Sequence, residues 1–461
     1  MPPTTQTPAI LTAPVAPLFI RMALPIIFGL MINGLFNFVD AIFISRAVGT
    51  DAIGGVSAAF PIQMIMISIS AMLGSGMASI ISRRLGANQD EEASKVFSAS
   101  LVLAAVIGLV LSISIVFFRY EIFALLKLPE VLIPYAVDYL TPIAAIGVIS
   151  FSHGSMSEGL RAQGLNIQVF KLMASMALLN IALDALFLFV FGWGVPGAAW
   201  ATALSITFAF FYAIYLLKTG NHRVSFSLEH FRFMSEVHKE AVALGIPVFL
   251  SYTGFAMMLM MVNVALVKVG GDQAELLISA HGILNRTFML IFLPVLGMMI
   301  AFQTFAGFNY GAQRFERVGE VLKVALIYVT GYALFWSSIM IFIPEYLFQL
   351  FSADESLIQA ATEISSIVFI GFITVGIAMI CPALFQALGF AKPSALLNAL
   401  HTYVLLLPAL GIYSISIGEQ YGPLGIWWLF PITDGITAII VGLYTWLFIK
   451  QFNQKIIKDV L

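Results

Sequence analysis

Stretches of about 20 consecutive apolar residues recur along this chain from end to end, separated by short polar segments. The runs are continuously apolar and show no two-residue alternation, so they predict helices and not the strands of a barrel. Twelve helices are expected, over residues 16–44, 53–81, 96–118, 131–154, 167–191, 195–217, 240–268, 276–306, 319–343, 357–388, 394–416 and 423–449. Eight carry an internal proline, at Pro25, Pro61, Pro142, Pro247, Pro294, Pro382, Pro408 and Pro431. Proline removes a backbone donor and kinks a helix, so each is a candidate bend. Pro25 is the candidate hinge, because the same helix carries an acid.

Composition sharpens this picture. The chain of 461 residues is 60% apolar and only 10% charged, against roughly 25% charged in a soluble domain. That is too little polar surface to cover a globule in water, and the expected class is an all-α membrane protein. The net charge of −2 gives no reason to expect a nucleic-acid partner. The single cysteine, Cys381, has no intrachain partner and reads as a buried apolar residue. Met1–Pro14 is polar, uncharged and rich in Pro and Thr, unlike a cleaved signal peptide, so helix 1 is expected to act as its own insertion signal.

Lys and Arg set the expected orientation. The N-terminal flank, the even-numbered loops and the C-terminal tail hold 17 of them: Arg21, Arg83, Arg84, Lys95, Arg161, Lys171, Lys218, Arg223, Arg232, Lys239, Arg314, Arg317, Lys323, Lys392, Lys450, Lys455 and Lys458. The odd-numbered loops hold four, Arg46, Arg119, Lys127 and Lys268, and Arg286 falls inside helix 8. Both termini and the central loop are therefore expected in the cytoplasm, with the chain multi-pass in the inner membrane.

The most polar stretch, Lys218–Lys239, divides the chain nearly in half, and the halves resemble each other. "ALPIIFGLMINGLF" beginning at Ala23 echoes "GIPVFLSYTGFAMM" beginning at Gly245. "RRLGANQDEEASKVF" beginning at Arg83 echoes "FNYGAQRFERVGEVL" beginning at Phe308, and "RAQG" ending at Gly164 echoes "QALG" ending at Gly389. The three pairs are separated by nearly the same length of chain, and a near-constant offset marks a duplicated unit. With six helices per unit, both copies insert the same way, as a parallel repeat about the membrane normal. The expected domains are an N-terminal lobe (1–217), a cytoplasmic loop (218–239) and a C-terminal lobe (240–461). A central cleft between the lobes would open to either side by rocking.

Two acids stand inside apolar helices, Asp40 in helix 1 and Asp184 in helix 5. A carboxylate at mid-membrane costs a few kcal/mol or more, roughly, and is retained only if paired, hydrated or neutralised. Two that share one site titrate as a pair, and one proton or one Na⁺ relieves their repulsion. Asn180 lies one helical turn before Asp184, Asn37 precedes Asp40 by three positions, and Thr202 follows the Gly197 turn in helix 6. Together these supply the oxygen ligands that a hard cation such as Na⁺ prefers. Weaker candidates are Gln63 and Gln303, at similar places in helices 2 and 8, and Met257 and Met260 in a methionine cluster. Asp434 in helix 12 would attract a cationic substrate or pair with Arg286. His281 and Asn285 share one face of helix 8 and read as structural. No phosphate-binding loop, nucleophile elbow or metal-ligand spacing is present, so neither an enzyme nor an ATP-driven pump is expected and no cofactor is implied.

The chain resembles the multidrug and toxic compound extrusion family over about residues 16–450. The resemblance rests on "ALPIIFGLMINGLFNFVDAIFI" (Ala23–Ile44), "SRRLGANQ" (Ser82–Gln89), "LLNIALDALFLFVFGWGVPGAAWATAL" (Leu178–Leu204) and "GFNYGAQR" (Gly307–Arg314), the last pointing to the MepA-like bacterial branch. It implies helices 1, 5 and 6 meeting in the N-terminal lobe around Asp40, Asn180, Asp184 and Thr202. It also implies export of cationic, aromatic or amphipathic compounds by a monomer in lipid, in exchange for Na⁺ or H⁺. Some members carry an acid in helix 7 and another in helix 10. Here helix 7 has none, and Glu363 stands near the start of helix 10. The coupling load is thus expected in the N-terminal lobe. The alternative is a lipid-linked oligosaccharide flippase of the same superfamily, which would need more intramembrane cations than Arg286 alone.

Overall fold

The computed structural model describes residues 9–220, 222–226, 230–231 and 233–460; the side chains at 37, 38, 50, 51, 419 and 452–460 lie outside the described set. All regular structure among these residues is helical. Helices 1 to 3 are Val15–Ala47, Thr50–Gly86 and Asp90–Phe117. Helix 4 is a bent pair, Ile133–Ala145 and Gly147–Ala162, and helices 5 and 6 are Asn166–Val190 and Val195–Thr219. Helices 7 to 9 are Ser235–Val269, Ala274–Gly311 and Phe315–Phe342. Helix 10 is a second bent pair, Glu355–Phe372 and Val375–Leu388. Helices 11 and 12 are Ala391–Ile417 and Leu424–Gln451. Ten are long and apolar enough to cross a membrane unbroken, and twelve with each bent pair taken as one span. This is an all-α, multi-pass membrane protein.

Two helices bend sharply, and proline is only part of the cause. Helix 4 turns by 59° at Ile146, one turn beyond Pro142. There Gly108 of helix 3 and Gly147 approach so closely that a Cβ on either would meet the other's carbonyl oxygen at 2.6 Å. The Ser112 hydroxyl donates to the Ala145 carbonyl at 3.1 Å, pairing a backbone acceptor at the break. Helix 10 turns by 43° between Phe372 and Val375, well before Pro382, and the Thr374 hydroxyl donates to the Gly371 carbonyl at 2.9 Å. The expected bend at Pro382 is thus displaced to the Gly371–Thr374 step. Pro25 lies inside an uninterrupted helix 1. Helix 10 begins at a capping residue: Asp354 accepts from the Ser356 hydroxyl and from the amides of Ser356 and Leu357, which hold its carboxyl below the ordinary carboxylate range.

The duplication is visible in the backbone. Positive φ recurs at matching positions of the two halves: Gly49 and Gly271 (113° and 51°), Asn88 and Gln313 (56° and 58°), and Gly164 and Gly389 (79° and 89°). The spacing within each pair is that of the sequence repeat. Asn88 and Gln313 end helices 2 and 8 with the same left-handed cap, closed by Gln89 N donating to Arg84 O at 2.9 Å and Arg314 N donating to Asn309 O at 2.8 Å. The two helix ends cross reciprocally. A Cβ on Gly86 would strike the Phe308 carbonyl oxygen, and one on Gly311 the Arg83 carbonyl oxygen.

By packing, the chain forms two compact units: Met1–Phe249 with Gln303–Val318 and Ala387–Gly389, and Leu250–Phe302 with Gly319–Gln386 and Phe390–Leu461. In the first, the basic helix ends do more than mark topology. Asn309, Arg314 and Arg317 hold the short helix Ala9–Thr12 by its carbonyl end. Asn309 donates to Ile10 O at 3.2 Å, Arg314 to Leu11 O at 2.6 Å and Arg317 to Ala13 O at 2.8 Å. The segment before helix 7 is held to the end of helix 2 in a similar way. Arg223 pairs with Asp90 at 2.5 Å and donates to Leu85 O at 3.0 Å, Val224 N donates to Gln163 at 3.0 Å, and Arg83 pairs with Glu240 at 2.8 Å.

The glycine crossing makes a prediction. Gly311→Val should lower the melting temperature in detergent by several degrees, on the order of the 1–3 kcal/mol typical of overpacking. Gly319→Ala, with open space around it, should leave the temperature unchanged or slightly raised.

Candidate functional site

Helix 1 packs along helix 5, helix 5 along helix 6, and the first half of helix 4 against helix 6. This brings together side chains far apart in sequence. Asp40, Asn180 and Asp184 are buried, at 7%, 2% and 0% exposure. The carboxyls of Asp40 and Asp184 lie within hydrogen-bonding reach of each other. Each keeps one oxygen, Oδ1, buried and without a donor. Two ionised carboxylates would repel strongly in this low-dielectric setting. One positive charge, a proton or a cation, would relieve that repulsion.

The other oxygens are ordered. Tyr139 of helix 4 donates its hydroxyl to Asp40 Oδ2 at 3.3 Å, and Gln63 hydrogen-bonds to Tyr139. The Asn180 amide is oriented by its neighbours: it donates to Asp184 Oδ2 at 2.9 Å while its oxygen accepts from Thr202 Oγ1 at 3.2 Å. Helix 5 changes winding immediately after Asp184, where Ala185–Val190 is a π-helical segment. Such wide turns recur at functional sites because they re-aim side chains. Phe43 of helix 1 packs edge-on against Phe189 of that segment, with ring centroids 5.3 Å apart.

Four residues expected together, Asp40, Asn180, Asp184 and Thr202, thus form one cluster. The Asn37 side chain lies outside the described residues. Gln63 stands beside Tyr139. Gln303 is half-buried, and Met257 and Met260 are exposed on helix 7. Tyr139 was not anticipated. Asp434 stands against His401 of helix 11, Nε2 to Oδ1 at 2.8 Å, and makes no ion pair with Arg286. His401 was also not anticipated, although an imidazole inside an apolar run is itself a signal. Among the described residues no group of three or more His, Cys, Asp or Glu is placed to hold a metal.

Twelve spans, a six-helix unit used twice and a carboxyl pair buried among helices 1, 4, 5 and 6 define a multi-pass transporter of the duplicated type. The MatE family model matches the chain twice, at residues 25–186 and 247–409, once in each half, and the chain belongs to that family. It is 26% identical over 444 residues to the probable multidrug resistance protein YpnP of Bacillus subtilis, covering 95% of this chain and 97% of that one. It is 23% identical over 437 residues to the multidrug export protein MepA of Staphylococcus aureus, covering 94% of each. A solved outward-facing multidrug resistance MATE transporter of the MOP superfamily superposes with a TM-score of 0.89 at 25% identity, over 98% of this chain and 99% of that one.

The cluster predicts a graded response. Tyr139→Phe removes the hydroxyl that donates to a buried carboxyl and should cost about 1–3 kcal/mol of stability, read as a lower detergent melting temperature. Ser338→Ala, an exposed hydroxyl bonded only to its own helix, should leave that temperature within error.

Proposed function

We propose that this protein is a secondary active antiporter that exports cationic or amphipathic organic compounds in exchange for H⁺ or Na⁺. The reading is supported by the buried Asp40–Asp184 contact and by relatives named as multidrug export and multidrug resistance proteins. Binding of one cation relieves the repulsion between the two carboxyls; its release restores the repulsion and separates helix 1 from helix 5. Helix 1 bends near Pro25 as this happens, and the two lobes, 1–217 and 240–461 joined by 218–239, alternate in access. A single charge moving through the membrane potential supplies about 2.3 kcal/mol per 100 mV.

Asp40 and Asp184 bind the ion, Asn180 and Thr202 complete its oxygen shell once the Asn180 amide turns its oxygen toward Asp184, and Asn37 adds to it. Gln303, Met257 and Met260 line the substrate path, with Asp434 as the anion for a cationic substrate; Gln63 acts through Tyr139. The protein works as a monomer in the bacterial inner membrane with both termini in the cytoplasm, following the distribution of Lys and Arg. The flippase alternative keeps one observation in its favour: Arg286 is exposed and makes no ion pair among the described residues. Thermal stabilisation by a lipid pyrophosphate, and not by cationic dyes, would favour it.

The direct test uses proteoliposomes loaded with ethidium. Wild-type protein should release dye when an inward H⁺ or Na⁺ gradient is imposed, and the gradient that works names the ion. Asp40→Asn and Asp184→Asn should drop release to the protein-free rate while both variants remain monodisperse. Export at the wild-type rate by either variant would remove that carboxyl from the coupling mechanism.

A further inference from the structure

The second repeat has its own polar cluster on the helices that correspond to those of the ion site. Helices 1, 5 and 6 carry Asp40, Asn180 with Asp184, and Thr202; helices 7, 11 and 12 are their counterparts at the repeat offset. The positions that match Asp40 and Asp184 in the second repeat are Val262 and Ala409, so the carboxyl pair itself is not repeated. In its place helix 7 brings Ser251 and Thr253, helix 11 brings Asn398, His401 and Tyr403, and helix 12 brings Asp434. Thr253 and Tyr403 share a hydrogen bond at 2.6 Å, Tyr403 also donates to Leu250 O at 3.1 Å, and Ser251 donates to Asn398 at 3.3 Å. The backbones are close enough that a Cβ on Gly254 would meet Thr402 and Tyr403 at 3.1 Å.

Within this cluster Asp434 is held on two sides. Its carboxyl presses against Gly371, beside the bend of helix 10, leaving no room for a side chain there. On the other side stands His401, in the π-helical segment Leu400–Leu406, with Nε2 at 2.8 Å from Oδ1. The contact is close but not aligned as a hydrogen bond, for Nε2 has no hydrogen-bond partner of its own. His401 and Asp434 each stand well inside their spans, which begin at Ala391 and Leu424. That places them about 15 Å from the helix start at 1.5 Å per residue. About a quarter of each side chain is exposed, 25% and 24%. A pair of ionisable groups at that depth does not face hydrocarbon, so its open side faces water or a ligand. The other charged residue deep in a span of this unit, Arg286, makes no ion pair among the described residues.

We propose that Asp434 is the recognition carboxylate for an organic cation and that His401 is the lid over it. The loosely aligned imidazole holds the carboxylate in the absence of substrate. A cationic headgroup takes its place against Oδ1, and the hydroxyls of Thr402, Thr253 and Tyr403 line the approach. The first repeat thus keeps its acids for an exchangeable inorganic ion. The second shields its acid with a residue of its own, which an organic cation must displace. This selects for cations strong enough to compete with imidazole and rests on the cationic-substrate reading above.

Equilibrium binding to the full-length protein in detergent, with no gradient, isolates this step from coupling. The probes are ethidium, a permanent cation, and Nile red, an uncharged amphipath, each followed by fluorescence. Asp434→Asn should weaken ethidium binding at least tenfold and leave Nile red unchanged, and Asp434→Glu should restore much of the ethidium affinity. His401→Gln removes the competitor and should tighten ethidium severalfold, again without effect on Nile red. Ser338→Ala, an exposed hydroxyl outside the cluster, should bind ethidium like the wild type. Ethidium binding by Asp434→Asn equal to wild type would overturn the recognition role. Unchanged or weaker ethidium binding by His401→Gln, with Nile red retained, would overturn the lid. A wild-type protein that binds Nile red but not ethidium would defeat the cationic-substrate reading beneath both.

Discussion

Everything in the proposed exchange depends on two carboxyls being held against each other where water does not reach. Asp184 is fully buried and Asp40 nearly so. Their contact is stable only with a positive charge between or upon them. The surrounding bonds leave room for that guest. Tyr139 and Asn180 each satisfy one oxygen of one acid, and the two Oδ1 atoms remain without donors. A site with every oxygen satisfied by protein would fix the helices permanently. In the proposed exchange, this one is complete only when loaded.

The same rule, that polar groups in a dry interior must find partners within the protein, explains the irregular parts of the scaffold. Where helices 4 and 10 break, hydroxyls of Ser112 and Thr374 take up carbonyls at the bends. At the ends of helices 2 and 8, arginines take up the last carbonyls of a helix or those of the segment that leads into helix 1. Residues read from sequence as markers of membrane orientation thus also satisfy the backbone.

The twelve spans were legible because length and apolarity determine them directly, and each expected helix falls on an observed one. Asp40 and Asp184 were legible because a charge in an apolar run is conspicuous, and Asn180 and Thr202 because spacing tied them to the acids. The bends were less so. Hydropathy is blind to winding, so the π-helical turns after Asp184 and around His401 leave no trace in it. The proline rule missed the step at Gly371–Thr374, where packing against Asp434 sets the bend. Tyr139 looks like any aromatic residue in an apolar helix, and its role depends on which way helix 4 faces. The pairing of Asp434 with His401 instead of Arg286 likewise depends on helix rotation, which periodicity does not fix across three helices.

The crossing of helices 2 and 8 has a consequence for symmetry. Gly86 meets the carbonyl of Phe308 and Gly311 that of Arg83, so the contact maps onto itself when the repeats are exchanged. Self-complementary contacts of this kind are isologous, the signature of a two-fold homodimer. A half-length polypeptide with one such glycine would make the same contact with its twin. In the single chain these two glycines let the repeats meet at one self-complementary crossing, although elsewhere the repeats differ, one carrying a pair of acids and the other an acid and an imidazole.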